Sequence, residues 1–406
     1  MASSGSSDGH GRPGQDSPDG AVLVVNAGSS SLKAALIDHD DAVLWREQWT
    51  WDPTTSAASA QSPDIVLGDS LAPLLMHSSR TPTLVGHRVV HGGSRFTAPT
   101  RLDAPVLDAL EELVPLAPLH NPPALRVMRW LRARLPGLPQ WACFDTAFHH
   151  TLPAQAYTYA LPAAWRDLGL RRYGFHGLNH QHVSEVVHRL EGSGPEGPLR
   201  LISCHLGAGC SLCAIRGGVS IATTMGFTPM EGLVMASRCG SVDPGVLLDL
   251  LRRGVSAADL EQQLQSGSGL LGLSGLSGSM RDLRLAAADG HTGARLAIAV
   301  FMERLRQGIG AMAASLGGVD VIALSGGIGE HDLQLREELQ QDLHWLGPFR
   351  LVVVPADEEG VIARACRAAE RARHDQDGVS DLQTQAAGGS AENASTAAEA
   401  SGLANQ

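Results

Sequence analysis

The stretch VLVVNAGSSSLKAALID, residues 22–38, decides how this chain is read. Four apolar residues run into the polar turn Asn26-Ala27-Gly28-Ser29-Ser30-Ser31, and a second apolar segment follows. Apolar runs flanking a Gly/Ser cluster predict two adjacent strands joined by a tight turn. Lys33 stands at the join. It is the one lysine among the 31 Lys and Arg residues of the chain.

The pattern recurs. In LRLISCHLGAGCSLCAIRGG, residues 199–218, His205-Leu-Gly207-Ala208-Gly209-Cys210-Ser aligns with Asn26-Ala-Gly28-Ser-Ser-Ser-Leu, which predicts two related halves. A third apolar run, in VDVIALSGGIGEH (residues 319–331), also ends in glycines, ahead of an expected helix. Glycine permits close backbone approach, and successive N–H groups at such turns form a concave site for phosphate oxygens. The hydroxyls of Ser29, Ser30 and Ser31 can donate to phosphate or order a hydrated Mg²⁺. No Gly-Lys pair occurs, which excludes a P-loop, and no G-x-G-x-x-G sits in a convincing βαβ unit.

Between these turns, strand-like and helix-like segments alternate, as in α/β proteins. DAVLWREQWTW (41–51) and TPTLVGHRVVHGG (81–93) read as strands. NPPALRVMRWLRARL (121–135), GLNHQHVSEVVHRLEG (177–192) and ARLAIAVFMERLRQGIGAMAASLGG (294–318) read as helices, the first with prolines near its start where they are tolerated. At 406 residues the chain exceeds one typical core, so two domains are expected. A net charge of −11 argues against nucleic acid as a partner. No run of 18 apolar residues predicts a membrane span, and residues 1–20 lack the apolar segment of a secretory signal. The six cysteines fit reduced thiols in a cytosol, with Cys210 and Cys213 in strand alternation rather than a metal site. The first 20 residues and those from 374 onward have the composition of disordered tails.

Arg88 (GHRVVHGG) and Arg238 (RCGSVDPG) lie beside glycine turns, where a planar guanidinium suits carboxylate or phosphate. Asp145 follows an apolar run and needs a cation or metal partner if buried. His120 and His176 stand in turn-prone sequence, where a lone histidine is structural or catalytic. PADEEG (355–360) puts three acids at a strand exit, suited to Mg²⁺ contacts or to a solvated turn. These residues together point to phosphoryl transfer.

The phrases VLVVNAGSSSLKAALID, GHRVVHGG, LAPLHNPP, FDTAFHHTLP, YGFHGLNH, MGFTPMEGL, RCGSVDPG, LSGLSGSMRDL and GGIGEH are collinear. Over residues 21–373 the chain resembles the acetate kinase family. The resemblance implies two duplicated actin-like (ribonuclease H-like) α/β domains with nucleotide in the cleft between them, usually as a homodimer. The domains would be 21–149 with a returning helix 360–373, and 150–359. Charge, hydropathy and cysteine usage add the expectation of a cytoplasmic protein with neither nucleic acid nor membrane as partner, and the resemblance implies that it is an enzyme. That enzyme would transfer phosphoryl reversibly and in line from ATP to acetate, giving acetyl phosphate and ADP with Mg²⁺ or Mn²⁺.

Carried over by the resemblance, Asn26 and Glu359 would hold the metal. Arg88 and Arg238 would grip the acetate carboxylate and the phosphoryl group in flight. Asp145 would orient them, His176 would donate to a phosphoryl oxygen, and His120 would support. Val90, Leu119, Phe175 and Pro229 would enclose the methyl group. The donor would lie along Ser29–Ser31, His205, Gly207, Ala208, Gly209, Ser279, Met280, Arg281, Gly327, Ile328, Gly329 and His331. Lys33 would sit near the phosphates or anchor the turn.

Departures fall on the donor side. Ala208 and Cys210 replace the family's usual Asn and Ser, Ser279-Met280 replaces Asp-Phe, and His331 and Asp357 each stand where Asn is usual. They leave open another donor, such as pyrophosphate or a different nucleotide, and a sensor that binds acyl phosphate or nucleotide without turnover. Propionate as acceptor also stays open, since one methylene in such a pocket is worth about 1–3 kcal/mol.

Overall fold

The computed structural model describes residues 20–28, 31–51, 62–78, 80–194 and 197–376. Ser29, Ser30 and nearly all of both expected tails lie outside the described residues. The alternation seen in sequence yields two sheets. The first contains β1 (Val22–Ala27), β2 (Ser31–Ile37), β3 (Val43–Thr50), β4 (Leu84–Val89), β5 (Thr100–Arg101) and β6 (Gln140–Phe144) in the order β3-β2-β1-β4-β6-β5. The second contains β7 (Arg200–Leu206), β8 (Cys210–Arg216), β9 (Val219–Thr223), β10 (Val321–Ser325) and β11 (Arg350–Val353) in the order β11-β10-β7-β8-β9.

The two sheets share one plan. β1 pairs antiparallel with β2 and parallel with β4, and β4 pairs parallel with β6. β7 likewise pairs antiparallel with β8 and parallel with β10, and β10 pairs parallel with β11. β1 therefore corresponds to β7, β2 to β8, β4 to β10 and β6 to β11. The duplication suggested by two glycine turns extends to whole sheets.

The parallel strands β1, β4, β6, β7 and β10 are buried almost throughout, as their continuous apolar runs require, while β11 lies half-exposed at the sheet edge. Each sheet carries helices on its faces. Val24, Ile37 and Cys143 of the first sheet pack with Val361, Ile362 and Cys366 of the helix 358–376. That helix continues three residues beyond the boundary expected at 373. On the second sheet, Phe301, Leu305 and Ile309 of the helix Thr292–Leu316 pack against Ile202, Leu212 and Leu324. The helix Asn121–Arg134 begins with Pro122 and Pro123 in its first turn, where no intrahelical N–H is lost.

One local expectation is revised. The stretch after β10 is not a free turn before a helix: residues Gly326–His331 are themselves helical. Gly326 makes the change of direction alone, at φ +78, and a Cβ there would lie 2.8 Å from the Leu206 carbonyl oxygen. Only glycine fits that crossing without strain.

Candidate active site

The site lies where equivalent strand ends of the two sheets face each other. Asn26, Gly28 and Lys33 come from the β1–β2 turn, and Gly207, Ala208 and Gly209 from the β7–β8 turn. Both turns close by a short backbone bond, Gly28 N–H to the Ser31 carbonyl at 2.8 Å and Gly207 N–H to the Gly209 carbonyl at 2.9 Å. The Trp51 indole N–H fastens the first turn by donating to the Gly28 carbonyl (2.9 Å). Lys33 lies opposite Asn26 in the β1–β2 register and lines the cleft.

Arg88 organises the floor. It reaches from β4 to Asp145, donating from Nε to Oδ1 (2.9 Å) and from Nη2 to Oδ2 (2.7 Å). Its remaining nitrogen, Nη1, meets Glu358 Oε2 at 3.0 Å. Burial alone would disfavour the Arg88 charge, but Asp145 and Glu358 hold its pKa above the ordinary value. Burial pushes the Asp145 carboxyl up against the pull of Arg88. Glu358 is also penalised by burial, yet Arg88, His205 and Lys33 hold it below the ordinary carboxylate value. The acid at 145 has the cationic partner that its burial demands.

Arg238 faces this group from the other half, with Nη1 donating to the Pro229 carbonyl (3.0 Å). Burial, and then Arg88, lower its pKa. His176 begins the helix Gly177–Glu191 in the left-handed region (φ +56), an unusual conformation for a residue with a side chain. The Gly177 N–H donates to the Asp145 carbonyl (2.8 Å), tying the helix start to the acid. The rings of His176 and His205 lie 4.3 Å apart. Burial foremost keeps both imidazoles below their ordinary pKa, as it does His120, lowered to about 4. These rings are neutral donors rather than cations.

Val90, His120, Phe175 and Pro229 line the same cleft beside the two arginines. Leu119 does not; it is 47% exposed. Glu359 also borders the cleft, but its carboxylate is turned to Arg46 (3.2 Å). The resemblance names Glu359 for the metal; in the fold the helix begins at Glu358, and the two adjacent acids leave its axis in different directions, Glu358 toward Arg88 and Glu359 toward Arg46.

Past Gly207, Ala208 and Gly327 the cleft opens into a second cavity of about 1050 Å³. Ser279, Met280, Arg281, Ile328 and His331 line it, as expected. Gly329 packs toward Leu324 instead, and neither it nor Ser31 borders either cavity. Sequence reasoning missed Ala236, Gly278, Arg284, Leu285, Asp332 and Leu333 on these walls. It also missed Glu330, whose Oε1 accepts from Gly326 N–H and Ala356 N–H (both 2.9 Å) and so ties two turns of the cleft together. Gly278 and Glu330 stand inside LSGLSGSMRDL and GGIGEH, yet nothing local marks their part in the site; the others stand outside the motifs, and only tertiary packing collects them.

Comparison with known proteins places this geometry among relatives. The model of the Acetokinase family matches residues 54–356. The acetate kinase of Synechococcus sp. (strain JA-2-3B'a(2-13)) is 44% identical over 405 residues, 85% of this chain and 98% of that protein. The acetate kinase of Deinococcus radiodurans is 44% identical, over 80% of this chain and 86% of its own. Among solved structures, the acetate kinase of Porphyromonas gingivalis superposes with a TM-score of 0.76 at 32% identity, covering 86% of this chain and 99% of that one. A propionate kinase from Francisella tularensis subsp. tularensis SCHU S4 gives 0.78 at 31% identity, covering 85% and 98%.

Proposed function

The chain belongs to the acetokinase family, and from that premise we propose that it moves the terminal phosphoryl group of ATP to acetate, giving acetyl phosphate and ADP. One observation carries the reading. Arg88, held on Asp145 and Glu358, faces Arg238 and His176 in a cleft continuous with a nucleotide-sized cavity.

The chemistry follows from charge. An acetate oxygen forms the new P–O bond while the bond to the ADP oxygen breaks, and ADP leaves with the electron pair. Acetate is already an anion, so no strong general base is required. The barrier lies in bringing anions together and in aligning them, which electrostatic preorganisation addresses. Arg238 meets the charge of the carboxylate and the phosphoryl oxygens directly, while Arg88, held on Asp145 and Glu358, carries its charge at the cleft floor. His176 donates a hydrogen bond to a phosphoryl oxygen, and the glycine turns at 207–209 and 326–327 accommodate the donor phosphates. Val90, Phe175, Pro229 and His120 bound the space left for a small acyl group.

The oxygen donors at the cleft suit Mg²⁺, a hard cation that takes few protein ligands and keeps water and phosphate oxygens for the rest. Asn26 and Glu358 are the residues we assign to hold it, with Glu359 as neighbour, and the ion would neutralise phosphate charge. We also read the enzyme as cytoplasmic and homodimeric. No helix among the described residues is long and apolar enough to cross a membrane. Leu248 and Leu251 are exposed one turn apart on the helix Pro244–Arg252, with Val246 exposed on another side of it, apolar surface for a second copy. Light scattering tests that pairing.

A second reading, with a donor other than ATP, is favoured by the donor cavity itself. Asp332 there is already held by Arg284 (3.1 Å) and by the Leu335 N–H (3.0 Å). The Ser279 hydroxyl oxygen accepts from the Asp282 N–H as the cap of its own helix (3.3 Å). Formation of acetyl phosphate, trapped as hydroxamate, from acetate and Mg²⁺ with ATP, GTP or pyrophosphate separates the two. Product with ATP supports the first reading, and product with another donor alone supports the second. Absence of product with every donor would leave a binding protein.

A further inference from the structure

We infer that Ser211 is a positioning residue, which fixes the proton of His176 on the nitrogen that faces the cleft, at the end of a buried relay of hydroxyls and imidazoles. The proposal deepens the kinase reading and rests on it for the role of His176.

The relay is read from four side chains. His176 Nδ1 lies 2.9 Å from Ser211 Oγ. The same oxygen lies 2.8 Å from His180 Nε2. His180 Nδ1 in turn lies 2.8 Å from Ser203 Oγ. Ser203, Ser211 and His180 are fully buried, beneath β7 and β8 and the first turn of the helix Gly177–Glu191. The far side of His176 reaches the cleft: a Cβ on Gly209 would meet Nε2 at 3.0 Å.

Proton counting gives the chain a direction. Ser211 carries one hydroxyl proton and touches two imidazoles, so it donates to one ring and accepts from the other. Burial and the surrounding rings keep His176 and His180 neutral, so each has one N–H. In one arrangement Ser203 donates to His180 Nδ1, His180 Nε2–H donates to Ser211, and Ser211 donates to His176 Nδ1. His176 then holds its proton on Nε2, pointing at the cleft. In the reverse arrangement His176 would present a bare lone pair to an anionic substrate. The Ser203 hydroxyl would also need another acceptor, and its one contact among the described hydrogen bonds is His180. A buried donor without an acceptor is costly. The first arrangement satisfies every group.

A neutral imidazole can then serve an anion without being protonated, provided its tautomer is fixed. Arg88, Arg238 and Lys33 already bring positive charge to the cleft, so a further cation there would be expensive. The hydroxyl of Ser211 substitutes for the carboxylate that orients histidine in many other sites.

Two measurements test the relay on the full chain. In the wild-type protein with ¹⁵N-labelled histidine, long-range ¹H–¹⁵N correlation, assigned with His176→Gln, reports the tautomer directly. We expect Nε2–H for His176; Nδ1–H overturns the proposal, whether or not the Ser211 variants fold. In the second, Ser211→Ala should lower kcat by about 10²-fold, the scale of one positioned proton-bearing group, with the acetate KM nearly unchanged. Ser211→Thr, which keeps the hydroxyl, should recover most of that loss. Unchanged kcat in a folded Ser211→Ala overturns the proposal, as does an equal loss in Ser211→Thr with the His176 tautomer retained. If the wild type forms no acetyl phosphate, the kinase reading fails while the tautomer remains a separate result.

Discussion

Arg88 and Arg238 illustrate how two like residues take different work from their surroundings. Arg88 has all its nitrogens turned to carboxylates, whereas Arg238 has a carbonyl and open cleft. Arg238 is thus the guanidinium with capacity to meet substrate charge as it develops. Arg238→Ala should lower kcat on the order of 10³-fold in the hydroxamate assay, as removal of a charge-stabilising arginine does elsewhere. A loss confined to KM would mean it only binds. The adjacent acids part in the same way. Glu358→Gln should raise the Mg²⁺ concentration for half-maximal rate well above that of Glu359→Gln. The opposite order would return the metal to Glu359, where the family resemblance places it.

The helix Gly177–Glu191 couples two parts of the site through its first residue. A Cβ on Gly177 would come 2.2 Å from the Asp145 carbonyl oxygen. In an open helix Gly→Ala is stabilising by about 0.5–1 kcal/mol. Here backbone stands in the way, so Gly177→Ala should have the opposite sign. It should lower both the urea midpoint and kcat, because the His176 and Asp145 ends must separate. A midpoint that rises would show the contact to be soft. Neither helix propensity nor motif spacing announces this constraint, since a glycine after YGFH reads equally well as a simple turn.

At the scale of the molecule, several histidines are buried without charge. His87 lies against Gln140 (2.8 Å) and His149 between Ser220 and the Phe175 carbonyl, and burial lowers each pKa to about 4. The unfolded chain titrates near the ordinary 6.5. Between those values the unfolded state binds protons that the fold refuses, so stability is complete above about pH 6.5 and falls as pH drops toward 4. Each such histidine contributes a slope of up to about 1.4 kcal/mol per pH unit in that window. Urea unfolding at pH 7.5, 6.5, 5.5 and 4.5 should show a falling midpoint below 6.5. A flat profile to 4.5 would contradict the buried neutral state.

The sequence alone determined the strand–turn–strand units at 22–38 and 199–218, the alternation of strands and helices, and their duplication, because periodicity and glycine turns are local properties of the chain. It also supplied Asn26, Arg88, Asp145, His176 and Arg238, whose motifs keep their neighbours wherever the chain goes. Tertiary structure decided the rest. It brought residues some 57 and 270 positions from Arg88 onto one guanidinium, as Asp145 and Glu358. It turned Leu119 outward, set Glu358 against Arg88 and Glu359 against Arg46, and placed Ser211 between two imidazoles. Each of those outcomes depends on the direction in which a side chain leaves its strand or helix, and on what the other half of the chain places opposite it. That information is geometric, and no short stretch of sequence contains it.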